Sequence, residues 1–308
     1  MTGLPDETAK AAAALLGESI VGFEPRGGGY TLAITGLLHL ADGRCVFLKA
    51  AAPGTPRDDP VVEDLVGEIA VLEAVATSTA APHVPHVVAS EATPLPLALL
   101  EDLSSAAWPP PYPDNLGPLA ATLDALAAVP PPAALEDLPA VSAASAAAGW
   151  WERVAADPAP LARLGIVDDA WLARALPSLA AAEAEVDLAG GDLVHGDLWY
   201  ANLCVAERGP VIVDWGSAMR GNARLDRATV AWDLIVVGRD PGPLAFDGLA
   251  AWLALLTGNQ AVQAVLPPGP GVDPASTLRA DQAADTVAML PHLARLLDLP
   301  PLAHTPDR

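Results

Sequence analysis

Leu193-Val-His-Gly-Asp-Leu-Trp-Tyr-Ala-Asn-Leu-Cys-Val205, followed by Val211-Ile-Val-Asp-Trp-Gly216, is the stretch on which the reading of this chain turns. Its polar residues follow the pattern H-G-D-x-x-x-x-N and then, past a short interval, D-W-G. Two apolar runs, LCV and VIV, fill the interval and are joined by AERGP as the arms of a hairpin would be. Phosphoryl transfer from a nucleotide needs a carboxylate to orient the attacking hydroxyl and hard oxygen ligands to hold magnesium against the phosphates. The string holds residue types for both tasks.

Upstream, the pattern predicts a helix over about 6–17 and then β structure at Ser19–Phe23, Tyr30–Leu40 and Arg44–Ala50. Asp42-Gly43 between the last two runs is a hairpin signal, because both turn positions favour positive φ. From Pro60 to Ala76 the period changes. Val61, Leu65, Leu72 and Val75 fall on one helical face, and Asp58 and Asp59 stand at the amino end where the helix dipole favours them. His86–Ala89 and Leu95–Leu100 read as two further strands of an antiparallel sheet. From Ser104 onward proline clusters at 108–113, 129–132 and 267–274 separate Ala- and Leu-rich helical stretches, and the hairpin within 192–214 is the exception.

With 308 residues, 52% hydrophobic and 18% charged, the chain has ample apolar side chain for a globular body of two lobes or one large domain. A formal net charge of -22 would repel a phosphate backbone or an anionic lipid surface, which disfavours nucleic acid and membrane as partners. Cys45 and Cys204 make no disulfide framework or zinc motif. The N-terminal stretch lacks the basic start and apolar core of a signal peptide, and no apolar run reaches the roughly 18 residues of a membrane span, so a cytoplasmic protein is expected. Of the sixteen basic residues only Lys10 and Lys49 are lysines. At a phosphate site a planar guanidinium is no free substitute for a compact ammonium, so composition alone marks Lys49.

The string from His195 to Gly216 resembles the protein-kinase-like phosphotransferases, and specifically the aminoglycoside phosphotransferase family of small-molecule kinases, which has H-G-D where protein kinases usually have H-R-D. The resemblance implies a two-lobed α+β kinase-like fold, with an N-terminal nucleotide-binding lobe over 1–100, a hinge about 99–104 and a helical catalytic and substrate lobe over 101–308. Asp197 then matches the catalytic base, Asn202 and Asp214 the magnesium ligands, and His195 the residue that braces the loop. Asp226 resembles the aspartate that supports the loop from a following helix. Relatives continue that aspartate with Leu-Ala, whereas this chain has Asp226-Arg-Ala and a separate Asp233-Leu, so Asp233 stays an alternative.

Lys49 ends a strand where the family places the lysine that contacts the α- and β-phosphates, and its partner should be a glutamate on the next helix. At about 100° per residue Glu68 lies at the centre of the apolar stripe, with Glu63 and Glu73 well off it, and an inward carboxylate needs a cation. Gly27, Gly28 and Gly29 stand where the family has its nucleotide-covering loop, and Glu101 and Leu103 where backbone groups of the hinge pair with the base.

The resemblance implies transfer of the γ-phosphoryl group of ATP or GTP, with Mg2+, to a hydroxyl of a small molecule. The acidic chain is compatible with a cationic acceptor. An aminoglycoside O-phosphotransferase conferring resistance is one alternative, and a catalytically silent nucleotide-binding pseudokinase is another. His39, His83, His86, His292 and His304 read as surface or packing residues. Trp150-Trp151 read as helix packing more than a substrate groove. Trp199 and Tyr200 could face the acceptor, with core packing the expectation for Trp199.

Overall fold

The computed structural model describes residues 3–27, 30–110, 115–129, 135–141, 149–164 and 167–302. After helix α1 (Asp6–Leu16) come strands β1 (Ile20–Pro25), β2 (Ile34–Leu40) and β3 (Cys45–Ala50), then helix α2 (Pro60–Val75), and strands β4 (Val87–Glu91) and β5 (Leu97–Glu101). The five strands form one antiparallel sheet in the order β1-β2-β3-β5-β4. The chain turns at Asp42-Gly43 as expected, but through the three residues 41–43 and with positive φ at Gly43 alone, since the Gly43 N–H donates to Leu40 O at 3.1 Å and Leu40 N–H to Arg44 O at 2.9 Å. Gly43 takes φ +89°, and Asp42 Oδ1 accepts the Arg44 N–H at 2.9 Å.

Side chains alternate between the two faces of a strand. On β3, Val46, Leu48 and Ala50 therefore share a face, and they pack with Leu38, Leu40, Leu97, Leu99 and the Ala9 and Ala12 side of α1. Lys49 stands on the opposite face, in register between Thr35 of β2 and Ala98 of β5. Asp59 caps α2 by accepting the Val61 N–H at 3.0 Å, and Pro60 occupies the first turn, where its missing donor costs nothing. The buried side of α2 is broader than the sequence stripe, adding Val62, Ile69 and Val71, and it includes Glu68.

The chain divides into two compact units. One takes the described residues up to Leu138 together with His195–Met219 and Gly269–Pro274; the other takes Pro139–Val194, Arg220–Pro268 and the residues from Ala275 on. The first unit holds the sheet, α1, α2, α3 (Leu116–Ala127) and a hairpin of strands Leu203–Ala206 and Gly209–Ile212. It also holds part of the proline cluster 267–274, read from sequence as a mere separator. Gly271, Val272 and Asp273 keep their backbone polar groups among the prolines, and they use them: Val272 bridges Thr31, Leu32 N–H donates to Gly271 O at 3.3 Å, and Asp273 N–H donates to Tyr30 O at 2.7 Å.

The second unit is mainly helical, with long helices at Asp169–Ala184, Arg224–Val236, Leu249–Gln263 and Leu278–Leu296. Glu183 caps the helix Trp150–Ala156 by accepting the N–H groups of Gly149, Trp150 and Trp151 at 2.9, 2.9 and 3.0 Å. Both tryptophans are buried, as packing residues should be, and the Trp151 indole donates to Ala254 O at 2.8 Å. Among the described residues no helix is long and apolar enough to cross a membrane.

Candidate active site

Within the first unit, Lys49 reaches two carboxylates. Its Nζ lies 2.6 Å from Glu68 Oε2 and 2.5 Å from Asp214 Oδ1. Glu68 is 1% exposed, Lys49 14% and Asp214 47%, so the ammonium sits where a buried carboxylate meets an open one. The Glu68 contact is an ion pair outside hydrogen-bond alignment, while Lys49 donates a hydrogen bond to Asp214. Burial works against the Lys49 charge, yet the Glu68 and Asp214 carboxylates overcome it, and its pKa stands above the ordinary lysine range. Asp214 is drawn below the usual carboxylate range: burial opposes this, and the Lys49 ammonium outweighs burial.

The segment from Asp214 to Ser217 explains why Glu68 points inward. Glu68 Oε1 accepts the Trp215 backbone N–H at 3.3 Å, and the Trp215 indole donates to Ile212 O at 2.9 Å. Gly216 closes against α2, where a Cβ would stand 3.2 Å from the Asp64 backbone oxygen. Asp214 itself lies in the left-handed region at φ 65°, an uncommon conformation for a residue with a Cβ.

His195 is fully buried, its ring edge on Trp215 at 4.7 Å between centroids. Its Nε2 is 2.9 Å from Val213 O, and its Nδ1 lies 3.2 Å from the Asp197 backbone N–H. A carbonyl only accepts and an amide N–H only donates, so the neutral tautomer with hydrogen on Nε2 satisfies both contacts. Burial depresses the His195 pKa, in keeping with that neutral form. Asp197 is pushed above its usual range by burial, against the pull of the Trp199 hydrogen bond. Asn202 Nδ2 donates to Asp197 O at 2.8 Å and approaches Asp197 Oδ2 at 3.5 Å.

Trp199 departs from the packing role expected of it. Its side is only half-buried, and its indole N–H donates to Asp197 Oδ1 at 2.5 Å. One oxygen of the carboxylate is thereby held, while Oδ2 keeps the long 3.5 Å contact with Asn202 Nδ2. An aromatic with a polar handle beside the key aspartate is the signal that could have found it.

The structure thus brings together Lys49, Glu68 and Asp214, and separately ties His195, Asp197 and Asn202 to the segment that carries Asp214. Gly27 is exposed with open space around it. Gly28 and Gly29 lie outside the described residues. Glu101 ends β5, and its carboxylate is taken by Arg208, with Nη1 to Oε2 at 2.9 Å and Nη2 on Oε1, and by the His86 N–H at 2.9 Å. Leu103 follows two residues later. Asp226 and Asp233 are both buried in the helix Arg224–Val236 of the second unit, so burial does not separate them.

For magnesium, the donor set is an amide oxygen of Asn202 and a carboxylate of Asp214, both hard oxygen ligands. Asn202 spends its nitrogen on Asp197, which leaves its oxygen for a ligand. Among the described residues no group of three His, Cys, Asp or Glu side chains is arranged to hold a metal. Two protein oxygens completed by phosphate and water is the usual way magnesium is held beside a nucleotide, so the residues fit.

A buried strand lysine held by a helix glutamate, an H-G-D loop and a D-W-G segment on an α+β frame define a kinase-like phosphotransferase. The model of the phosphotransferase enzyme family (APH) matches residues 37–264, and the chain belongs to that family. No protein of curated function matches the sequence. Among solved structures, spectinomycin phosphotransferase in complex with ADP and spectinomycin is similar at a TM-score of 0.63 and 14% identity, covering 97% of this chain and 99% of that one. A GDP complex of a mutant aminoglycoside 2'-phosphotransferase is similar at 0.59 and 16%, covering 91% of each chain. The macrolide 2'-phosphotransferase MphH from Brachybacterium faecium follows at 0.54 and 18%, covering 90% and 96%. These likenesses share the fold.

Proposed function

We propose that this protein transfers the γ-phosphoryl group of a nucleoside triphosphate, with magnesium, to a hydroxyl of a small molecule. The nucleotide would use the lobe over 1–100 and the acceptor the lobe over 101–308, in the cytoplasm. The observation that carries the reading is the Lys49 ammonium held between buried Glu68 and open Asp214. In that arrangement Glu68 fixes the lysine, and the exposed side leaves it available to nucleotide phosphates.

Asp197 would accept the hydrogen bond of the acceptor hydroxyl at Oδ2 and take its proton as the oxygen attacks in line. Trp199, on Oδ1, keeps the carboxylate from rotating away. His195 fixes the loop through the Asp197 N–H and Val213 O without carrying charge itself. Asn202 and Asp214 would hold magnesium, whose chemistry there would be to offset the phosphate charge. Asp226 would support the loop, with Asp233 the alternative. Glu101 and Leu103 would present backbone groups to the base, and 27–29 would cover the phosphates.

The acceptor is a hydroxylated compound, and the net charge of -22 supports a cationic one such as an aminoglycoside without requiring it. Magnesium-dependent release of nucleoside diphosphate across a panel of hydroxylated compounds tests the reading. Asp197→Asn should lower turnover by about 10²–10⁴ while nucleotide binding persists. Turnover close to that of the parent would remove Asp197 from its role, and tight nucleotide binding with no acceptor turned over would point to the pseudokinase.

A further inference from the structure

Leu103 offers its two backbone groups unequally. Its carbonyl accepts the Ala106 N–H at 3.0 Å and the Trp108 indole N–H at 2.9 Å, so both lone pairs are engaged. Its own N–H meets no acceptor among the described residues. Trp108 is held in place by its neighbour: Ala107 exchanges both backbone hydrogen bonds with Val205 of the hairpin, at 2.9 and 3.1 Å. Trp108 is 42% exposed, so a ring on a half-open surface is held by this bond and by the Ala107 bridge.

The hydrogen-bonding edges of the two purines differ in what they ask of such a residue. Adenine presents an acceptor, N1, beside the N6 donor. It can take the Leu103 N–H at N1 and needs nothing from the Leu103 carbonyl. Guanine presents the O6 acceptor beside the N1–H and N2–H donors. If O6 takes the Leu103 N–H, the adjoining N1–H is best met by the carbonyl of the same residue, and that carbonyl is full. A base N–H left without an acceptor in a closed site loses its hydration with no return.

We propose that Trp108 is a specificity-determining residue, which biases the nucleotide site toward adenine over guanine by occupying the Leu103 carbonyl. The proposal rests on reading Leu103 as a base-contacting hinge residue in a phosphotransferase. Among the described residues nothing else needs the Trp108 indole N–H at that point: the other donor on the carbonyl, Ala106, closes the local turn by itself.

The test is calorimetric titration of the full chain and of Trp108→Phe and Trp108→Tyr with ADP, GDP and inorganic tripolyphosphate, each with magnesium. Both variants keep a ring and lose the indole N–H. The parent protein should bind ADP about 5–50-fold more tightly than GDP, the range expected for one unsatisfied donor. Both variants should narrow that ratio to within about threefold, chiefly by a gain for GDP, because the freed carbonyl can then accept the guanine N1–H and a neutral hydrogen bond is worth about 2–13-fold. Tripolyphosphate, which has no base, should bind all three proteins alike. A parent ratio near one, a parent preference for GDP, or an unchanged ratio in two variants that still bind tripolyphosphate overturns the role of Trp108. If tripolyphosphate binds and neither nucleotide gains from its base, the hinge reading is wrong. If none of the three binds the parent protein, the phosphotransferase reading falls with it.

Discussion

Gly196, the middle residue of H-G-D, is placed where a side chain has no room. Its φ is +80°, and a Cβ built there would stand 2.6 Å from the Ser217 backbone oxygen and 2.6 Å from Met219 Cε. The methionine can swing away, but the carbonyl belongs to the turn after D-W-G and is fixed by the contacts of Trp215 with Glu68 and Ile212. Gly196→Ala should therefore cost about 1–2 kcal/mol for a left-handed alanine and a similar further amount for the overpacked contact. The total is roughly 2–4 kcal/mol, or a fall in Tm of roughly 4–16 °C in a unit of this size. Because His195 and Asp197 flank the strained residue, turnover should fall more steeply than the residual folded fraction explains.

Gly191→Ala supplies the control, since its Cβ would meet open space without a positive φ, and it should stay within about 0.5 kcal/mol of the parent. Differential scanning calorimetry of the parent and both variants, with nucleotide turnover measured well below each Tm, reads both effects. If Gly196→Ala melts with the parent and turns over at the parental rate, the glycine is a matter of ancestry and the steric argument is wrong.

Trp199→Phe removes the donor on Asp197 Oδ1 while keeping the ring. It should lower kcat about tenfold with KM for nucleotide unchanged, and an equal loss in both would refute a positioning role. Lys49→Arg places a planar cation between two carboxylates arranged for an ammonium, and nucleotide affinity should drop about tenfold or more in a binding titration that includes Glu68→Gln for comparison. Imidazole 15N spectra should show His195 as the Nε2–H tautomer with no titration midpoint near 6.5. Since burial lowers its folded pKa, the unfolded chain takes a proton the fold refuses, so this group's contribution is complete above about pH 6.5 and is lost as pH falls below it. A midpoint at the ordinary value would show that the ring is not locked.

Much of this was legible because it depends on periodicity and short-range chemistry. The Asp42-Gly43 turn, the cap at Asp59 and the inward position of Glu68 all follow from residue type and spacing. The contacts of Trp199 and Trp108 do not. Each is a single indole N–H aimed at one oxygen, set by the rotamer of a half-exposed ring, and a tryptophan in a sequence reads equally well as packing. The joining of Gly271–Asp273 to Tyr30–Leu32 was hidden for another reason. Prolines at 267, 268, 270 and 274 signal a break in helix, and they carry no information about which distant strand the remaining N–H groups will find. The choice between Asp226 and Asp233 failed on both counts, since both sit on the same buried helix.

The interval between Asn202 and Asp214 has a physical origin that ties the site to the sheet. Leu203 pairs with Ile212 and Ala206 with Gly209, so the two arms are equal and the turn is Glu207-Arg208. Equal arms return the chain beside its start, and Val213 N–H donates to Asn202 O at 3.0 Å. Asn202 and Asp214 are therefore neighbours at the open end of one hairpin, however many residues separate them. The closed end is also fixed. Arg208 pairs with Glu101 and donates to Pro82 O at 2.8 Å and to Val84 O at 3.2 Å. A guanidinium can span those three acceptors where an ammonium could not fork between them. The hairpin thus runs from the end of β5, where the base is expected, to the residues expected to hold magnesium. Residues added at Glu207-Arg208 would break the Glu101 anchor first, whereas one residue added to a single arm would displace Asn202 from Val213 and separate Asn202 from Asp214.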